Sequence, residues 1–197
     1  LLMTMHGGFW RFPRGFRPSA SAGIAPRSTY LKIIGDFCRW QDHIALGCDD
    51  AAQVESSDSR PLRGPRSGPP VSHSNLWFIL PSELDHFGPN VGHGLVWLHE
   101  DIESGAASDP FLFSGYERRC LHLTHRTPTT VTFRIEVDKA GNGHWEPLRE
   151  VQVPARGAVS VPFEPSDSGA WVRVVALQGA RLATAGFACS DRDKRGE

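Results

Sequence analysis

In the stretch VTFRIEV, Val131, Phe133, Ile135 and Val137 point one way along an extended chain, and Thr132, Arg134 and Glu136 point the other. A period of two is the signature of a strand with one face on a core and one in water. Val159, Val161 and Phe163 repeat it. From about Gly94 onward short runs of this kind recur between turns: GLVWL, FLFSGY, RCLHLTH, TVTFRIEV, WEPLREVQV, AVSVPF, AWVRVVAL and RLATAGFA. So many short strands in so little chain predict an antiparallel β-sandwich over residues 92–190. Almost nothing reads as helix. The one helical pattern is PSELDHF, in which Ser82 is placed to cap a single turn carrying Glu83 and Leu84. The fold class is therefore all-β.

The first half has a different texture. LLMTMH, YLKIIGDFCRW, HIALGC and SNLWFIL read as the strands of a four-stranded meander spanning residues 1–91. A long loop at 49–73, containing VESSDSRPLRGPRSGPP, interrupts it; that stretch is polar, rich in Pro, Gly and Arg, and has no period. A lone meander buries little and leaves two edges open. Such a sheet is normally one blade among several around an axis, so the first half is propeller-blade-like. The chain also opens inside a strand, and we expect it to be the tail portion of a longer protein with further blades upstream. Residues 191–197, DRDKRGE, read as a charged tail or a linker.

The 197 residues are 40% hydrophobic and 22% charged, enough for a packed interior. Lys and Arg total 21 against 22 Asp and Glu, a net charge of −1. That balance offers no broad basic field, so neither nucleic acid nor an anionic membrane is an expected partner. No apolar run is long enough for membrane insertion as a helix. Four cysteines, Cys38, Cys48, Cys120 and Cys189, do not amount to a disulfide framework at this length. In the hairpin GDFCRWQDHIALGC a turn at Gln41-Asp42 sets Trp40 against His43, Cys38 against Ala45 and Cys48 against Gly35. Cys38 and Cys48 then lie on opposite sides of the sheet and cannot bond. The compartment is not legible.

Several stretches invite chemistry. VDKAGNGHW has Asp138, Asn142 and Gly143 at calcium-loop positions. Ala140 and Arg149 stand where ligands are needed, so a hairpin turn explains it better. His122 and His125, three apart on a strand, face opposite ways and do not chelate together. No metal site and no cofactor is expected. Asp49 and Asp50, at the mouth of the long loop, can bind sugar hydroxyls or cap the strand. The richest stretch is HGGFWRFPRGF. His6, Trp10, Arg11 and Arg14 suit a pocket for an acidic sugar, with arginines on a carboxylate and an aromatic face under the ring. The competing reading packs the aromatics inside and lets the arginines reach outward. No nucleophile elbow, phosphate loop or dinucleotide fingerprint is present.

The runs RSTYLKIIGDFCRWQDHIALGCDDAA, SHSNLWFILPSELDHFGPNVGHGLVWL and SDPFLFSGYERRCLHLTH resemble the closing part of large bacterial β-propeller proteins of glycan degradation. These are distantly similar to seven-bladed propellers that act on rhamnose–glucuronate linkages as lyases or rhamnosidases. The resemblance implies a carbohydrate-active parent, extracellular or periplasmic, to which this chain contributes a pocket wall and an accessory sandwich. The chain alone would then be inactive. In the lyase-like relatives the catalytic histidine lies in a propeller pocket; no histidine here maps onto it, and His6 is the one in a setting to test. The alternative is a non-catalytic module that binds glycan or a partner protein.

Overall fold

The computed structural model describes residues 1–30, 33–49 and 74–196. The expected loop at 49–73 lies, from residue 50 on, outside the described residues. The chain forms two compact units. One comprises Leu1, Arg11–Pro26 and Pro89–Arg192, and the other Leu2–Trp10, Arg27–Gly88 and Asp193–Glu197.

The chain is all-β, and its larger unit is an antiparallel sandwich. Eight strands build it: β7 (Val91–Ile102), β8 (Phe111–Leu112), β9 (Arg118–Thr124), β10 (Val131–Asp138), β11 (Glu146–Val153), β12 (Ala158–Pro162), β13 (Trp171–Ala176) and β14 (Ala180–Ser190). They form two four-stranded sheets, ordered β11-β10-β13-β8 and β12-β9-β14-β7. The apolar face of VTFRIEV is realised: Val131, Phe133, Ile135 and Val137 are each at most 1% exposed. They join Leu121, Leu123 and Phe187 from the other sheet in one core. Burying a side chain of this size stabilises by about 1.5–3 kcal/mol. On the face expected in water, however, Glu136 is buried between the Arg134 and Arg173 guanidiniums. His125 is buried too, its Nδ1 accepting from the Thr127 N–H at 3.1 Å and its Nε2 3.2 Å from the Val153 carbonyl. His122 faces out from the same strand end.

The N-terminal half divides more finely than one four-stranded meander. β1 (Leu2–Met5) and β2 (Gly8–Arg11) are neighbours, with β3 (Ala25–Thr29) beside β2, in a three-stranded sheet. The reason is the turn. His6 and Gly7 have φ of 50° and 74°, the left-handed pair that closes a two-residue hairpin. LLMTMH therefore folds back on GFWR and does not head the next sheet. β4 (Ile33–Trp40), β5 (His43–Asp49) and β6 (Ser74–Ile79) form the second three-stranded sheet, in that order. Trp40 opposes His43 and Cys38 opposes Ala45, as the hairpin reading expects. A bulge between Ile34 and Asp36 moves Cys48 opposite Ile34, where Gly35 was expected. The core of this smaller unit is Phe9, Ile34, Leu46, Cys48, Ile79 and Leu84.

The helical turn of PSELDHF is a 3-10 helix, Pro81–Asp85. Its N-terminal boundary is Leu80, where Ser82 was expected: the Glu83 carboxylate accepts the Leu80 N–H at 2.5 Å. The Arg27 guanidinium grips Asp85 with two bonds of 2.8 and 2.6 Å. All four cysteines are free. β9 and β14 do pair, but Cys120 opposes Ala188 and Cys189 opposes Arg119, which places the thiols on opposite faces.

Candidate functional site

The outward face of the sheet β12-β9-β14-β7 carries an open cleft of about 290 Å³. Strand alternation decides which side chains reach it. Ser160, His122, Gly186 and Leu95 form one row across the four strands, by their pairing register. Ala158, Thr124 and Thr184 form the next. His93, opposite Ala188, stands on the other side. Two features open the cleft. Gly186 has no side chain, and a Cβ there would come within 2.6 Å of Leu95 Cδ2, so Leu95 leans across the gap. The β7–β14 ladder also shifts register three times between Ala180 and Gly186, and such bulges bend and twist a sheet.

The cleft has an apolar floor and a polar rim. Its hydroxyl groups and the His122 imidazole are held in place. His122 Nδ1 and Ser160 Oγ are 2.8 Å apart. Thr124 Oγ1 donates to the Gly157 carbonyl at 2.9 Å, and Thr184 Oγ1 accepts the His99 N–H at 3.1 Å. Leu95 is more than half exposed beside them. None of the described lining residues is a carboxylate, and a pair of carboxylates is the usual equipment for glycoside cleavage. Cys120 shares this face, and burial pushes its thiol up, away from the reactive thiolate. The arrangement can accept and donate hydrogen bonds to a hydroxyl-rich, partly apolar ligand.

The residues singled out in the sequence are placed as follows. His6 is exposed at the β1–β2 turn. Trp10 is partly buried, its Nε1 donating to the Met5 carbonyl at 3.2 Å. Both belong to the smaller unit, while exposed Arg11 and Arg14 belong to the larger. Asp49 ends β5, paired through its backbone with Ile33 and Ser74. Asp50 lies outside the described residues. Among the described residues no three His, Cys, Asp or Glu side chains gather closely enough for a metal ion. Asp138 of the calcium-like stretch accepts backbone N–H groups of Asn142 and Gly143, at 3.2 and 2.7 Å. No helix of the described residues is long and apolar enough to cross a membrane. The cleft itself was missed in the sequence. Its one signal was a glycine inside the apolar run ATAGFA, where a strand interior disfavours it unless something must come close.

No protein-family model matches the sequence, and no curated protein matches it. Among solved structures the chain is similar to the SPBc2 prophage-derived protein YomS (TM-score 0.39, 9% identity, 52% of this chain and 95% of that one). It is similar also to a structure described as "CBM4 structure and function" (TM-score 0.24, 10% identity, 81% and 78%). A third is one of the carbohydrate-binding modules from the β-sandwich superfamily (TM-score 0.26, 8% identity, 92% and 82%). All three likenesses are loose.

Proposed function

We propose that this chain is a non-catalytic glycan-binding module whose ligand lies in the cleft on the β12-β9-β14-β7 sheet. The observation that carries the reading is the lining: hydroxyls and the His122 imidazole fixed by their own hydrogen bonds around an apolar floor, with no carboxylate among the described residues. A sugar presents the complementary surface, hydroxyls at its edge and C–H groups on its face. Sites of this kind use a few placed polar groups for orientation and apolar contact for area. The test is a glycan panel with the whole chain. His122→Ala with Ser160→Ala removes two rim groups and should weaken binding about five- to tenfold. Unchanged binding in that double variant rejects the cleft.

A second reading follows the sequence resemblance to propellers, and one observation favours it. The outer face of the β4-β5-β6 sheet exposes Trp40 (60%), Leu76 (69%) and Phe78 (49%). A monomer seldom leaves such a patch bare without use, and a neighbouring blade would cover it. In this reading the chain is a wall of a larger enzyme acting on acidic, rhamnose- or glucuronate-containing glycans. His6, Trp10, Arg11, Arg14, Asp49 and Asp50 are its proposed ligand contacts. Arg11→Ala or Arg14→Ala in the longer protein should abolish turnover, and normal turnover in both removes these contacts from consideration.

A further inference from the structure

The charges of this chain are segregated. Residues 1–35 contain no Asp or Glu, but they hold Arg11, Arg14, Arg17, Arg27 and Lys32. The remaining residues carry the other 16 basic and all 22 acidic side chains, a surplus of six acids. Arg27 is spent on Asp85. Arg11, Arg14 and Arg17 are all exposed, and none has an acidic partner among the described residues.

Arg11 ends β2, and Arg14 and Arg17 sit on the two consecutive turns that follow it; all three belong to the sandwich unit. The Phe16 N–H donates to the Pro13 carbonyl at 3.2 Å, which puts Arg14 and Gly15 at the apex of the first turn. Arg17 and Ala20 exchange backbone bonds of 3.3 and 2.9 Å and close the second. The base of the double turn is anchored on the sandwich. Ser21 donates its N–H and its hydroxyl to the Gly141 carbonyl, at 2.9 and 3.0 Å, and its oxygen accepts from Trp171 Nε1 at 2.8 Å. The tip is not covered. Phe16 is 48% exposed, held edge-on against Phe12 with ring centroids 5.3 Å apart. A loop fixed at its base, with cations and one braced aromatic ring at its tip, is built as a contact surface.

We propose that this double turn binds an anionic polysaccharide, with Arg11, Arg14 and Arg17 on its carboxylate or sulfate groups and the Phe16 ring against a sugar face. Guanidinium suits either anion, because its planar fork matches both. Nucleic acid fits less well. Duplex DNA places a charge about every 1.7 Å, and the surplus of acids on the rest of the chain would repel so dense a polyanion. The inference deepens the glycan-binding reading toward acidic ligands, but it uses none of the cleft residues.

The experiment is affinity electrophoresis and titration of the whole chain against polygalacturonate, dextran sulfate, neutral dextran and single-stranded DNA. Polygalacturonate retention without dextran sulfate retention identifies the carboxylate as the source of the anion; the reverse identifies the sulfate. Retention by either should fall steeply between about 50 and about 300 mM salt. Arg11→Ala/Arg14→Ala/Arg17→Ala should weaken it at least tenfold, and Phe16→Ala alone about threefold. The thermal midpoint should stay unchanged in both variants. The proposal is overturned if neither polyanion binds or if the triple variant binds as tightly as wild type. Equal binding of DNA with no effect of Phe16→Ala also overturns it, as contact with any polyanion. Binding of neutral glycan that His122→Ala/Ser160→Ala weakens, alongside no acidic binding, defeats this inference and leaves the cleft reading standing.

Discussion

Single residues here show how a strand's two faces separate chemistry. Cys38 is exposed, whereas Cys189 is buried, and burial raises its thiol to about 11. A thiol reagent at neutral pH should therefore label Cys38 quickly and leave Cys189 intact until the fold opens; mass spectrometry of the labelled chain reads this, and early labelling of Cys189 would refute it. Burial likewise raises the Tyr116 phenol, to about 12. Both groups hold their protons longer in the folded chain than their ordinary values of 9.0 and 10.0 allow in the unfolded one. Their share of stability is thus complete below pH 9 and is lost as pH rises through about 11 and about 12. Denaturant midpoints should be flat up to about pH 9 and then fall. Tyr116→Phe should flatten the upper part of that fall. His125 follows Leu121 and Leu123 at a spacing of two, which sets it on their buried face. Its Nδ1 and Nε2 are both engaged inside the core. His125→Ala leaves a backbone N–H and a carbonyl unpaired beside a cavity, and should cost about 3 kcal/mol in chemical denaturation.

Among the elements, those with a strong period were legible and those built by turns were not. VTFRIEV became β10 because four apolar side chains on one face fix its register against two neighbours. The β4–β5 hairpin was read correctly at its turn end, where Trp40 meets His43, and lost register only past the bulge at Gly35. A bulge inserts a residue without altering the pattern on either side, so a period of two does not reveal it. β2 and β3 were overlooked for another reason. GFWR and APRST lack alternation, and Pro26 argues against a strand; their pairing comes from the left-handed turn at His6-Gly7 and from burial of Phe9. The cleft was invisible for the same cause. Its residues come from four strands far apart in sequence, and only pairing register brings His122, Ser160, Thr184 and Leu95 to one face.

Two separate hydrophobic cores imply that the chain does not lose its structure in one step. Phe133→Ala removes a wholly buried ring from the sandwich core, at a cost of about 3–5 kcal/mol. Hydrogen exchange should then speed in β9, β10, β13 and β14 while Leu46 and Ile79 of the smaller unit keep their protection. Uniform acceleration through both units would show that they unfold as one. The two proposed binding sites do not follow that division: the neutral cleft and the cationic double turn both lie in the sandwich unit, and they share no residue. The most direct measurement is calorimetric titration of the whole chain with a broad glycan panel, repeated with Ala158→Trp, which puts an indole into the rim of the cleft. We expect at least one glycan to bind wild type and to be lost from Ala158→Trp at an unchanged thermal midpoint. Equal binding by the two proteins, or no binding to any glycan, would contradict the assignment of this cleft as a glycan site.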